Sequence, residues 1–361
     1  MHNDITTEEA RATLPAPQLV LARSGFNAAE PLFAADLRAC TDPVRARETV
    51  AIHGSRLWTE GVRTGLAGPD DRPLYWARLV LASRLRTWRP NFPLSETDRA
   101  HLLHVLEVES RGITDIDFPP GERWVRIVVT GFDPFHLDDD PGRSNPSGTA
   151  ALDLHGWTFP VGRRIAMVRA AIFPVRWAAF DDGIVEEALT APHQNVDAVI
   201  TLSQGRKGRF DLEVWNGRWR GGGKDNMRAF RTGPVPTPGV KAPEWTRSSL
   251  PLEALAHRAQ GRCPVVVNTR VTEVPPDKDD PVERADGPTA GSASRRGGGG
   301  DYLSNEIAYR NTLLRDRAGR HIPAGHIHLP QPGENEGQAD LLAQVRSMVE
   351  VVAASVGGAS G

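Results

Sequence analysis

Over the first 121 residues the apolar positions recur at helical spacing. From Arg72 to Arg89, Leu74, Trp76, Leu79, Val80, Leu81, Leu85 and Trp88 follow one another at helical intervals until Pro90 and Pro93 close the run. Ser95 then stands three residues ahead of Asp98, the pattern of a capping box, and opens a second helix through Leu102, Leu103, Val105 and Leu106. No convincing strand pair interrupts these patterns, so residues 1–121 are expected to form a small helical domain.

The texture changes after Pro119-Pro120-Gly121. Trp124 to Thr130 (WVRIVVT) is a short β-branched apolar run ending at Gly131, as buried parallel strands do. Further strands are predicted over 164–171, 196–202, 210–215, 264–269 and 326–329, and helices over 146–154, 178–189, 252–259, 305–314 and 339–352. Such alternation predicts an α/β fold over residues 122–361, an open and mostly parallel sheet flanked by helices. Residues 270–300, rich in Pro, Asp, Ser and Gly, are expected to be an inserted mobile loop. Its closing Gly297-Gly298-Gly299-Gly300 is no phosphate loop, because no Lys-Ser or Lys-Thr follows.

Composition narrows the partners. Net charge is −2 over 361 residues, so no global field favours nucleic acid or an anionic membrane, and the arginines are spread among acids. No run of about 20 apolar residues suggests a membrane span. Cys40 and Cys263 show neither disulfide nor zinc spacing, and residues 1–25 lack an export pattern. A cytoplasmic protein without metal or cofactor is the expectation, with a homo-oligomer open.

Three places could carry chemistry. Ser304, in Asp301-Tyr302-Leu303-Ser304-Asn305-Glu306, stands near a helix N-terminus, where free N–H groups can hold an oxyanion. The plainer reading makes Ser304 or Asp301 an N-cap. His326 and His328 share one face of a strand near its end, as general bases or, less favoured, as metal ligands. Glu213 interrupts an apolar strand and needs a partner if buried, which a histidine would supply; otherwise it alternates outward. His101 and His104, one turn apart, lack a third metal ligand.

The motifs Thr130-Gly131-Phe132-Asp133-Pro134-Phe135 and Asn145-Pro146-Ser147 resemble pyroglutamyl peptidase I, the pyrrolidone-carboxylate peptidase family. In the same order follow Phe173-Pro174-Val175, Leu202-Ser203-Gln204-Gly205-Arg206, Asp225-Asn226, Ser249-Leu250-Pro251, Tyr302-Leu303-Ser304-Asn305 and His326-Ile327-His328-Leu329-Pro330. The resemblance spans about residues 124–354. It implies an open sandwich of the phosphorylase/hydrolase type and a Cys-His-Glu triad that removes N-terminal pyroglutamate. By motif the glutamate falls on Glu213 and the histidine on His328, but the cysteine position holds Ser304. Phe132, Phe135, Asn145 and, more loosely, Gln204 match the lactam pocket. The family's arginine after the catalytic glutamate has no clean counterpart, Arg218 and Arg220 being nearby. The resemblance thus implies a hydrolase of a peptide or small amide using a Ser-His-Glu triad. The alternative is a catalytically inactive homologue that binds a ligand or a protein.

Overall fold

The structure, a computed structural model, describes residues 5–239, 241–259, 261–331 and 337–357. The outermost limits of the two expected regions, residues 1–4 and 358–361, lie outside the described residues. Six α-helices come first: Thr7–Ala10 (α1), Pro15–Ser24 (α2), Ala29–Ala39 (α3), Pro43–Ala67 (α4), Arg72–Thr87 (α5) and Glu96–Ser110 (α6). The capping box at Ser95 is formed in full, Ser95 accepting from the Asp98 N–H and the Asp98 carboxylate accepting from the Ser95 N–H.

Strands and helices then alternate: Trp124–Phe132 (β1), Pro146–Leu154 (α7), Thr158–Val161 (β2), Arg164–Phe173 (β3), Trp177–Asp181 (α8), Ile184–Asn195 (α9), Ala198–Gln204 (β4) and Phe210–Glu213 (β5). The helix expected over 178–189 is thus two, because the chain turns at Gly183, whose φ of 85° suits glycine. Trp215–Gly217 (β6), Trp219–Arg220 (β7), Gly233–Pro234 (β8) and Trp245–Arg247 (β9) make two small hairpin-like pairings, followed by Leu252–Arg258 (α10) and Val265–Asn268 (β10). Val271–Val274 (β11), Val282–Arg284 (β12), Ala293–Arg296 (β13), Leu303–Ala318 (α11), Ala324–Leu329 (β14) and Gln338–Gly357 (α12) complete the described chain.

Seven strands form one open sheet in the order β10-β5-β14-β4-β1-β3-β2. Pairings among β14, β4, β1 and β3 and between β10 and β5 are parallel; β5 runs antiparallel to β14, and β2 to β3. The fold is α/β with a mostly parallel sheet, preceded by the helical region. Strand alternation sorts the side chains onto two faces. Val125, Ile127 and Val129 of β1 pack with α12 residues such as Met348 and Val352, while Val128 and Phe132 pack with Phe180, Val185 and Ile307 on the face covered by α8, α9 and α11. By the same alternation Ile327 and Leu329 take the first face, so His326 and His328 take the second, together with Thr201, Ser203 and Glu213.

The helical region shares its core with the sheet layer. Trp58, Trp76 and Leu85 belong to one apolar cluster with Leu152 of α7 and Ile172 of β3. A buried polar network reinforces that join. Asp133, just beyond β1, sits between Arg78 of α5 (2.9 Å) and Arg111 after α6 (2.7 Å), and all three are at most 2% exposed. Glu107 binds Arg111 at 2.6 Å and Arg176 at 3.0 Å, and Glu8 accepts from the Tyr75 hydroxyl at 2.8 Å and from Asn226 at 3.1 Å.

Residues 270–300, expected to be an irregular loop, instead hold a three-stranded antiparallel sheet, β12-β11-β13. Its centre is Glu273, fully buried, which accepts from Arg284 (2.9 Å), the Thr289 hydroxyl (2.6 Å) and the Thr289 N–H (2.5 Å). Turn residues dominate the composition here, but alternating Val271 and Glu273 point inward and anchor the strands. Among the described residues no helix is long and apolar enough to cross a membrane.

Two outcomes follow. Asp133→Ala leaves two buried guanidinium groups without their shared carboxylate and is expected to lower stability by about 3–5 kcal/mol in urea unfolding. For Glu273, burial raises the carboxyl pKa, yet the hydrogen bonds from Thr289 and Arg284 outweigh it and hold it at about 2, below its ordinary 4.5. A depressed carboxylate stabilises fully above 4.5 and loses that contribution as pH falls toward 2. Amide protection factors across 271–296, corrected for the intrinsic pH dependence of exchange, are expected to fall over that window in the wild type, whereas Glu273→Gln is expected to show low protection already at neutral pH with a flatter pH response.

Candidate active site

The second face of the sheet gathers polar side chains at the level where β1 and β4 end. Register sets them: His326 lies opposite Thr201 and Glu213, and His328 opposite Ser203. Antiparallel β5 therefore turns a carboxylate toward the histidine strand. The His328 ring nitrogen Nδ1 is 2.7 Å from Glu213 Oε1, and Glu213 is 1% exposed. The second oxygen, Oε2, accepts from Asn268 Nδ2 at 2.8 Å, and that same amide nitrogen donates to Gly298 O at 3.0 Å. Glu213 is thus the partnered carboxylate and not an outward-facing one. With its carboxylate acting only as an acceptor, Nδ1 of His328 carries the proton and leaves Nε2 available as a base. Sequence reasoning missed Asn268; its place at the end of β10, next to Glu213, is set by sheet order.

Ser304 is the second residue of α11. Tyr302 occupies the N-cap position without a side-chain cap bond, so neither Ser304 nor Asp301 is the cap. The helix start leaves backbone N–H groups of its first turn without intrahelical partners. The Ser304 hydroxyl donates to Gly299 O at 3.1 Å, and among the described residues no hydrogen bond joins it to His328. Gly299 fills the space beside the histidine: a Cβ built on it would lie 3.0 Å from His328 Cε1 and 3.5 Å from the Asn305 N. The tetraglycine is folded back on itself, Gly297 N–H donating to Gly300 O at 2.8 Å and Gly300 N–H to Gly297 O at 3.0 Å. Gly298 allows similarly close approach, since a Cβ there would overlap Glu213 Oε2.

Ser304 lines a small cavity of about 40 Å³ with Phe132, Phe135, Asn145, Ser203, Gln204 and Tyr302 among its walls. All four residues matched to the lactam pocket therefore meet at one place. They differ in what they offer. Phe132 is buried and stacks on Phe180 at 6.2 Å, while Phe135 is half-buried. Asn145 caps α7: its Oδ1 accepts from the Ser147 N–H (3.0 Å) and Oγ (2.8 Å), and its Nδ2 donates to Asp133 O (2.9 Å). A wider cleft of about 380 Å³ is lined by Gly299, His328, Glu213, Arg206, Arg270 and Arg296. Neither nearby arginine reaches the cavity. Arg220 is buried against Glu306 and Asp181, and Arg218 lies 3.7 Å from Glu244.

His326 is not a solvent-facing base. It is fully buried, its Nδ1 2.8 Å from Thr201 Oγ1 and its Nε2 2.8 Å from Ser203 Oγ. Burial, and then the neighbouring His328, push its pKa well below the ordinary 6.5. The described residues contain no group of three His, Cys, Asp or Glu side chains placed to hold a metal; His104 pairs with Glu187 at 2.9 Å.

Residues 1–107 match the PA0049 N-terminal domain, and residues 126–273 and 262–332 match the PA0049 C-terminal domain. The chain belongs to the PA0049 family. It is similar to the uncharacterized protein PA0049 of Pseudomonas aeruginosa, with 31% identity over 423 positions spanning 88% of this chain and 76% of that protein. The helical region and the α/β region are thus both part of what defines the PA0049 family. Among solved structures the chain resembles pyrrolidone carboxyl peptidase from the hyperthermophile Pyrococcus furiosus, at 20% identity and a TM-score of 0.47, covering 64% of this chain and 99% of that one. A mutant form of the same peptidase matches at 21% identity and a TM-score of 0.46, over 63% and 97% of the two chains.

The packing around His328 gives a direct test. A Cβ on Gly205 would lie 2.6 Å from His328 Cβ. Gly205→Ala is expected to displace the imidazole from Glu213 and to cost about 1–3 kcal/mol of stability, read as altered His328 ring resonances in NMR and a lowered urea midpoint.

Proposed function

We propose that this PA0049 family member is a hydrolase of the pyroglutamyl peptidase type, cleaving an N-terminal pyroglutamyl or related small acyl group from a peptide or amide through Ser304, His328 and Glu213. The observation that carries this reading is the 2.7 Å pair between Glu213 and His328 beside the apolar cavity that Ser304 lines. A buried carboxylate aimed at one imidazole nitrogen is what general-base catalysis by the other nitrogen requires. The family motifs that end on these same residues support it independently.

In this mechanism Ser304 first rotates its hydroxyl from Gly299 O toward His328 Nε2. A thiol near pKa 8.5 can be stored as a thiolate, whereas a serine hydroxyl must surrender its proton during attack, so His328 acts as a true base. Oγ adds to the acyl carbonyl carbon, its proton passes to Nε2, and Glu213 stabilises the resulting imidazolium. N–H groups at the start of α11 hold the oxyanion. Collapse breaks the C–N bond, His328 gives its proton to the departing amine, and water releases the acyl group by the same route. Phe132, Phe135 and Gln204 enclose the acyl ring. Asn145, with its amide committed to α7 and Asp133 O, shapes the wall and does not reach for the substrate.

A second reading has its own observation. The Ser304 hydroxyl is bonded to Gly299 O, and Gly299 lies against His328 Cε1, an arrangement suited to a protein that binds a small ring without cleaving it.

The deciding experiment is release of a fluorogenic amine from its pyroglutamyl amide. Wild type is expected to turn over, and Ser304→Ala and His328→Ala to lose about a thousandfold or more in kcat. Absence of turnover together with absence of labelling of Ser304 by a fluorophosphonate would establish the binding reading.

A further inference from the structure

The buried His326 takes no part in the mechanism above, yet it is bonded to a residue of the cavity wall, Ser203. Its two ring nitrogens are tied to hydroxyls of alternate residues on one strand, Thr201 and Ser203, each at 2.8 Å. The Thr201 hydroxyl donates to the Gly325 carbonyl at 3.1 Å. Only one arrangement places a proton in each of these three contacts: Thr201 donates to Gly325 O and accepts from Nδ1, so Nδ1 carries the imidazole proton. A neutral imidazole has just one, so Nε2 is bare and accepts from Ser203. The Ser203 proton therefore points back into the sheet, and its remaining lone pairs are what it can offer the cavity it lines beside Phe132, Gln204 and Ser304.

This relay has a fixed direction only while His326 stays neutral. Among the described residues no carboxylate is bonded to its ring: its hydrogen-bond partners are two hydroxyls, and His328 stands 4.7 Å away, ring centre to ring centre, with Glu213 bound to His328 instead. Burial opposes a charge there. For the same reason Ser203 is no second nucleophile, since removing its proton would place an unpaired imidazolium in the core.

We infer that Ser203 is a specificity-determining residue that presents a hydrogen-bond acceptor to the cavity, selecting a small ring whose N–H points at its Oγ. The inference rests on the cavity's being the acyl-group site proposed above and adds the feature by which it tells rings apart. A lactam satisfies Ser203; a lactone of the same shape sets its ring oxygen against the serine lone pairs and leaves them unpaired.

Ring binding tests this separately from turnover. In full-length Ser304→Ala, which cannot be acylated at that position, 2-pyrrolidinone and γ-butyrolactone are titrated with the His326 and His328 ring signals as reporters. A lactam preference of about tenfold or more is expected, falling to within about twofold when Ser203→Ala is added. Ser203→Cys, nearer in size and a weaker acceptor, is expected to fall between the two. Equal affinities with Ser203 present, binding of neither ring, or a preference that survives Ser203→Ala overturns the inference. Nitrogen-15 spectra of the histidines supply the second arm: the proton is expected on Nδ1 of His326, and finding it on Nε2 would reverse the polarity of Ser203 and overturn the inference too. A lactam preference without hydrolysis of the pyroglutamyl amide would remove the proposed chemistry and leave the role of Ser203 standing.

Discussion

Asp133 is the charge on which the arrangement of this protein depends. A carboxylate sealed from water is tolerated only when opposite charge and hydrogen bonds replace its hydration. Here both replacements come from the helical region, through Arg78 on α5 and Arg111 after α6. Asp133 follows directly on Phe132 and lies two residues before Phe135, so the pair of guanidinium groups also fixes the exit of β1 and the two rings at the cavity. Its backbone carbonyl in turn takes the Asn145 amide, which caps α7. One buried anion thus joins helices, sheet and cavity wall.

The chemistry at the other wall follows from strand direction. β14 pairs directly with β4 on one side and with β5 on the other, so the register on each side sets which residues meet the histidines. The antiparallel ladder puts Glu213 opposite His326, and His328, two residues on, reaches it on the same face. Asn268 from the edge strand and Gly298 from the insert then close around the carboxylate. The glycines are needed because a side chain at Gly298 or Gly299 would enter the volume of Glu213 or His328.

Much of this was legible from the residues in order. Short apolar runs mark every strand of the main sheet except β2, and the helix expected over 146–154 has the bounds of α7. Of the residues the motifs named, Ser304, Phe132, Phe135, Asn145 and Gln204 line one cavity, and His328 and Glu213 form a bonded pair. Less legible were features that depend on contacts distant in sequence. Residues 270–300 read as loop because turn formers outnumber apolar positions there, while the strand signal reduces to Val271, Glu273 and Val274 and relies on Arg284 and Thr289 to satisfy a buried acid. Asn145 read as a pocket residue, although its local sequence, Asn-Pro-Ser, is equally that of a helix cap. His326 looked interchangeable with His328, and only the sheet register separates a residue facing two hydroxyls from one facing a carboxylate.

The short segment around Glu8 has a consequence for how this polypeptide can be divided. Glu8 reaches across to Tyr75 and Asn226, and Arg11 donates to Asn226 O at 2.6 Å and to Asp138 at 2.8 Å. These first turns act as a seam stitched from one end of the chain to a loop more than two hundred residues away. Clipping the chain after its first dozen residues would leave the Asn226 amide, the Arg176 guanidinium and the Tyr75 hydroxyl facing a gap, and cutting near residue 121 would strip Asp133 of both its cations. The α/β portion of this chain is therefore not a self-sufficient body carrying the helices as an ornament.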